Sequence, residues 1–226
     1  EINKIVKALR DYDGIKNYNL FTSKNCNIPQ KDKTYERFAE EINLMMNKYN
    51  IDSCLRKAHF LAQAYPESDA FRTTEEYGND LRYDPYRGRG LMQLTHSGEL
   101  SGQSGYKQYF EHLKRTDYKE SYNKVSDDLS LAIDSSGWYW VYGSAWGNLN
   151  NDADNDDLYV INIGVNGGFN GFQKRKAYIQ QLIKIMNVSS CRNSKNHDVG
   201  IYSYKTRIKD TRYGKNRKKE VESYDD

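Results

Sequence analysis

The sequence predicts a mainly α-helical α+β fold with one small β element. Three observations carry that expectation. Apolar residues recur at helical spacing in four separate stretches, a glycine-rich segment interrupts them near the middle, and the 226 residues, 37% of them apolar, suffice for one good-sized core. Charged residues make up 29% of the chain and the mean hydropathy is −0.96, values that many disordered chains share. Twenty tyrosines, seven phenylalanines and three tryptophans nevertheless supply the bulky side chains that a core requires.

The helices follow in order. From Thr34 to Tyr49, the residues Phe38, Ile42, Met45, Met46 and Tyr49 share one face, leaving Glu40, Glu41 and Lys48 outside. Asp52 or Ser53 offers an N-cap for a second, more deeply buried helix through Leu55, Ala58, Phe60, Leu61 and Ala62, which Pro66 should end or kink. A third starts at Ser126 and carries Leu129, Ile133, Trp140 and Val141 to a stop at Gly143. A further short helix runs through Leu158 to Ile163, and the last follows Gly171, burying Tyr178, Ile179, Leu182, Ile183 and Met186. Between the second and third, Tyr86 to Thr95 reads as a turn or short hairpin. The expected division is one domain over residues 1–190 and a basic, tyrosine-rich tail over 191–226, where Tyr202, Tyr204 and Ile208 suit a short strand pair.

Composition narrows the function. No run approaches the roughly 20 apolar residues of a membrane helix, so membrane insertion is not expected, and Glu1-Ile-Asn-Lys lacks the apolar core of a signal peptide. A net charge of +3 would favour an anionic polymer only faintly, and nothing points to nucleic acid. Cys26, Cys54 and Cys191 match no metal-ligand spacing. Two readings of them stay open: one disulfide, with Cys26–Cys54 as a pairing, or buried thiols without a special role. Asp152, Asp154, Asp156 and Asp157 invite a calcium reading, but a loop starting at Asp152 lacks the sixth-place glycine and carries Ile163 where a bidentate glutamate belongs. Helix capping explains them better, and His59 reads as a core histidine. No metal or other cofactor is expected.

Chemistry concentrates in three places. In Ala58-His59-Phe60-Leu61-Ala62-Gln63-Ala64-Tyr65-Pro66-Glu67, a buried helix ends in a carboxylate. Partial desolvation there would favour the protonated form that glycosidic cleavage needs, although taken alone Glu67 reads as a solvated glutamate. Tyr86-Arg87-Gly88-Arg89-Gly90-Leu91-Met92-Gln93-Leu94-Thr95 brings Arg89, Gln93 and Thr95 to one surface through two glycines. Asn166-Gly167-Gly168-Phe169-Asn170-Gly171 is a turn before a helix, with Asn166 and Asn170 suited to sugar hydroxyls or to their own backbone.

Together with Trp138-Tyr139-Trp140, and in this order over roughly Phe38 to Met186, these stretches resemble glycoside hydrolase family 19, the plant-type chitinases and phage or bacterial endolysins. The resemblance implies a lysozyme-like, two-lobed domain with a central substrate groove and an inverting mechanism. By motif, Glu67 matches the general acid and Thr95 the residue that helps hold the attacking water. Glu76 matches the second carboxylate, with Glu75 left open. Arg89 would position a carboxylate and, with Gln93, Asn166 and Tyr86, bind substrate in the groove. Two departures stand out: Pro66-Glu67 replaces the His-Glu of many relatives, and His96-Ser97-Gly98-Glu99 precedes Gly105-Tyr106 where relatives often read Asn-Tyr.

Inverting glycosidases keep their carboxylates about 6.5–9.5 Å apart. A continuous helix from Glu67 to Glu76 would span about 13 Å at about 1.5 Å per residue, so the chain should break near Ser68-Asp69 and fold back. The short loop between Glu76 and Tyr86, and Leu91-Met92-Gln93-Leu94-Thr95, look more like the endolysin members. Peptidoglycan is therefore the expected substrate, and a secreted enzyme or one delivered to the bacterial cell wall the expected setting. A toxin role would add an immunity protein that plugs the groove. Chitinase, lytic transglycosylase and a non-catalytic glycan-binding protein are the alternatives.

Overall fold

A computed structural model describes residues 1–191, 200 and 206–224. Among the described residues twelve helices follow one another: α1 (Ile2–Tyr12), α2 (Tyr35–Lys48), α3 (Cys54–Glu67), α4 (Tyr106–His112), α5 (Tyr118–Ser121), α6 (Lys124–Asp127), α7 (Leu129–Trp138), α8 (Leu149–Asp154), α9 (Leu158–Asn166), α10 (Phe172–Ile185), α11 (Arg212–Asn216) and α12 (Lys218–Glu222). Short 3₁₀ turns and one π turn, Tyr139–Gly143, lie between them. Among the described residues no helix is long and apolar enough to cross a membrane.

The hub is α3. Ser53 caps it by accepting from Arg56 N at 3.1 Å, and every residue from Ala58 to Tyr65 is buried. Such all-round burial requires neighbours on each side, and α8, α9 and α10 supply them. Phe60 meets Trp140 edge to face at 5.5 Å, tying the hub to the π turn. A second layer forms where α2 packs on α7, with Phe38, Ile42, Met45 and Met46 inward as expected. Glu41, expected on the outer face, is instead 9% exposed because Arg37 folds over it at 2.6 Å.

The expected third helix is divided at Asp128, whose backbone turns extended and whose side chain caps α7 by accepting from Leu131 N at 3.0 Å. The helical run still ends at Gly143. The small β element is reduced to two isolated antiparallel bridges, Glu75 with Arg89 and Arg89 with Leu94.

Beyond Thr206 three short helical turns bury Ile208 and Val221. Tyr224 stacks on Phe169 at 4.9 Å, and Arg207 pairs with Asp152 at 2.6 Å. Ile208 lies on a 3₁₀ turn and not on a strand, while Tyr202 and Tyr204 fall outside the described residues. The disulfide joins Cys54 to Cys191, correcting the Cys26–Cys54 pairing; Cys26 is a buried free thiol 3.4 Å from Thr74 Oγ1. The aspartates near residue 155 also have structural work: Asp154 holds Arg56, Asp156 holds His59, and Asp157 caps α9.

Candidate active site

Glu67 is the last residue of α3, and the chain turns sharply after it. Pro66 sits in the final helical turn, where its missing N–H removes one ladder bond. Ser68 then accepts the end of the helix, its hydroxyl donating to Ala64 O at 2.7 Å. Asp69, Ala70 and Phe71 follow with φ of 49°, 59° and 57°, three successive residues in the left-handed region that L-residues avoid. A buried cation holds this turn. Arg10 of α1 is fully buried and donates to Ala70 O at 2.6 and 3.1 Å and to Asn17 O and Asn19 O at 2.8 and 2.9 Å. The break required between Glu67 and the later glutamates is therefore present, three to five residues beyond Pro66.

Past the turn the chain runs back beside the glycine-rich segment. Gly90 N donates to Thr74 O at 2.9 Å and Glu76 N to Gly88 O at 2.9 Å, while Arg89 and Leu94 exchange bonds at 3.0 and 2.7 Å. Gly88 lets the two side chains of this corner come close. A Cβ at that position would lie 2.7 Å from Gln93 Oε1 and 3.1 Å from Glu76 Oε2.

This path brings Glu67, Glu75, Glu76, Gln93, Thr95 and Asn166 to one open cleft of about 400 Å³. Glu76 is held on both oxygens, by Tyr83 OH at 2.8 Å and by Gly88 N at 3.1 Å. That bond to Glu76 also pushes the Tyr83 phenol up from its ordinary range. Thr95 Oγ1 donates to Gln93 O at 2.7 Å, and Gln93 Nε2 to Gly90 O at 2.9 Å, so both side chains are fixed by their own turn. Asn166 ends α9, and Gly167 closes that helix at φ 78°.

Two expected groove residues lie elsewhere. Arg89 is 5% exposed and turned inward: it pairs with Glu75 at 2.9 Å, donates to Pro85 O and lies over the Tyr122 ring at 5.0 Å. It positions a carboxylate, but that of Glu75, and does not line the cleft. Tyr86 packs among Tyr106, Tyr118 and Tyr122, and Tyr83 takes its place on the cleft wall. Asn170 is exposed and away from the cleft lining.

Glu67 sits against a buried cation. Arg175, 5% exposed on α10, pairs with Glu67 Oε1, and its Nη1 donates to buried Gln63 Oε1 at 2.6 Å. Glu67 Oε2 has no hydrogen-bond partner among the described residues. Tyr139, whose phenol burial pushes up to about 12, is close enough to Glu67 for that carboxylate to add to the shift. Arg175, Gln63 and Tyr83 are absent from the site expected from sequence. Only Gln63, four residues before Glu67 and thus one helical turn away, carries a local signal.

No family model and no curated protein matches the sequence. Solved structures do match. Chitinase C from Streptomyces griseus HUT6037 superposes with a TM-score of 0.58 at 18% identity, over 80% of this chain and all of that one. A family 19, class IV chitinase from Zea mays gives 0.57 at 16% identity over 81% of this chain and 94% of the other. A bacterial family 19 chitinase gives 0.58 at 17% identity, over 81% and 96%. The chain thus has the lysozyme-like fold of the family 19 chitinases.

Proposed function

We propose that this protein is a peptidoglycan-degrading glycoside hydrolase that cleaves the glycan backbone with inversion. The observation that carries the reading is the convergence of Glu67, Glu76, Thr95, Gln93 and Asn166 on one open cleft, from three separate parts of the chain, on a fold shared with glycan-cleaving enzymes. Glu67 is the general acid. Arg175 fixes one of its oxygens, which leaves the other for the glycosidic oxygen. Glu76 is the base. Tyr83 and Gly88 N aim its carboxylate, and a water held between it and Thr95 would attack the sugar from the face opposite the leaving group. Gln93 and Asn166 supply amide donors and acceptors for sugar hydroxyls and N-acetyl groups. Polymeric substrate suits a cleft whose lining runs on into a neighbouring cavity on either side of this array.

Chitin cleavage is the second reading, favoured by the solved neighbours, which are chitinases. Digestion of purified peptidoglycan and of chitin oligomers, with released ends read by mass spectrometry, separates the two. Reducing muramic ends support the proposal. Release from chitin alone favours the second reading, anhydro ends indicate a lytic transglycosylase, and no release from either indicates a binding protein. A secreted or cell-wall-delivered setting, and an immunity protein covering the cleft if the enzyme is a toxin, belong to this proposal; co-purification from the producing cell tests the latter.

A further inference from the structure

The cleft continues past Pro66 and Asp69 into a second cavity of about 310 Å³, which shares those two residues with it. Asp13, Asp69, Arg72, Lys174 and Tyr178 line that cavity, so charge of both signs gathers there. The other end of the cleft differs. It opens into a space of about 690 Å³ whose lining, from Leu100 to Ser104 and beyond, has no acidic residue, lysine or arginine. One end therefore suits uncharged sugars and the other a charged substituent.

Asp69 and Arg72 neutralise each other in the smaller cavity, and Asp13 is held by a phenol. Asp69 accepts from Arg72 Nη2 at 2.6 Å and from Tyr77 OH at 2.7 Å, and Asp13 accepts from Tyr178 OH at 2.9 Å. Lys174 is exposed and has neither a hydrogen bond nor an ion pair among the described residues. It lies in the first turn of α10, next to Arg175. Successive helical residues point about 100° apart, so Arg175 turns inward to Glu67 while Lys174 turns to the adjoining cavity.

We propose that this cavity seats the peptide stem of peptidoglycan, with Lys174 taking a stem carboxylate. The inference rests on the peptidoglycan reading above and deepens it. Chitin carries no anionic group, whereas each muramic acid bears a lactyl-linked peptide rich in carboxylates. A free ammonium beside the cleft has a partner only in the second polymer.

The test measures kcat/KM on polymeric peptidoglycan and on the same glycan stripped of its stems by an amidase, with the freed lactyl carboxylates capped as amides, for wild type and for Lys174→Ala, Lys174→Glu and Lys174→Arg. Lys174 is exposed, so folding should survive, and thermal melting checks this. The ratio of stemmed to stripped activity should fall about five-fold in Lys174→Ala, the scale of one solvated charge contact. It should fall further in Lys174→Glu and stay near wild type in Lys174→Arg. A ratio unchanged in both Lys174→Ala and Lys174→Glu overturns the stem site while leaving the hydrolase reading intact. A wild-type enzyme that cleaves neither form refutes the peptidoglycan reading itself, and the stem site with it.

Discussion

Glu75 and Glu76 are adjacent in sequence, yet the fold gives them different work. Glu75 is the counter-charge of buried Arg89, whereas Glu76 is aimed by a phenol and a backbone amide. Glu76→Gln should therefore lower kcat by about 10²–10⁴-fold, the range of a general base, with little change in melting temperature. Glu75→Gln should act mainly on stability, costing about 1.5–3 kcal/mol by weakening a charge-assisted bond to buried Arg89. Urea titration with steady-state rates on both variants checks the assignment, and the reverse pattern would exchange the two roles. Tyr83→Phe should cost a further, smaller factor in kcat, about five-fold for one hydrogen bond. Glu67, Thr95, Gln93 and Asn166 were legible as cleft residues because motif order places them there. Tyr86 and Arg89 were not, since a three-residue difference decides which tyrosine faces the cleft, and nothing local to Arg89 reveals the tyrosines that enclose it.

Helices α2, α3 and α10 were readable from apolar spacing and capping residues, and the break after Glu67 followed from the length a continuous helix would have. The means by which that break is held was not readable. Arg10 gathers carbonyls from residues 17, 19 and 70, up to sixty positions away, and no local pattern encodes such a contact. Arg10→Ala leaves those carbonyls buried without a donor and should destabilise the fold by about 3–5 kcal/mol, with activity falling further than the loss of folded protein explains. Chemical denaturation alongside specific activity per folded molecule measures both; a fully active, equally stable variant would show that the left-handed turn stands without it. Asp157, the cap of α9, permits a pH test. Burial raises its pKa, so the native state binds more protons than the unfolded one between the ordinary carboxylate value and the raised one. Its contribution to stability is therefore lost as pH rises through that window. Asp157→Asn keeps the cap acceptor without the charge, and its stability relative to wild type should improve as pH climbs there.

Over the whole molecule, the two ends of the hub helix serve different purposes. At its start Cys54 is bonded to Cys191, 137 residues away, and at its end Glu67 faces the cleft. Cys191→Ser should lower unfolding free energy by about 2–5 kcal/mol, read as an earlier urea midpoint that added reductant does not move further. The sequence contained the three cysteines but could not select their pairing, which depends on where the chain returns after α10. It likewise carried no periodicity beyond residue 191 by which to foresee that Ile208, Val221 and Tyr224 pack onto the core. That packing reaches the helices carrying Asn166 and Arg175: Tyr224 stacks on Phe169, between α9 and α10, and meets Phe172 of α10. Inverting hydrolysis of a glycan by Glu67 and Glu76 is the proposed chemistry. Proton NMR of the first-formed product from a β-linked oligosaccharide or glycan strand tests it most directly. The α-anomer should appear first with wild type, and no product should form with Glu67→Gln; a β-anomer appearing first, or full activity in Glu67→Gln, would contradict the account.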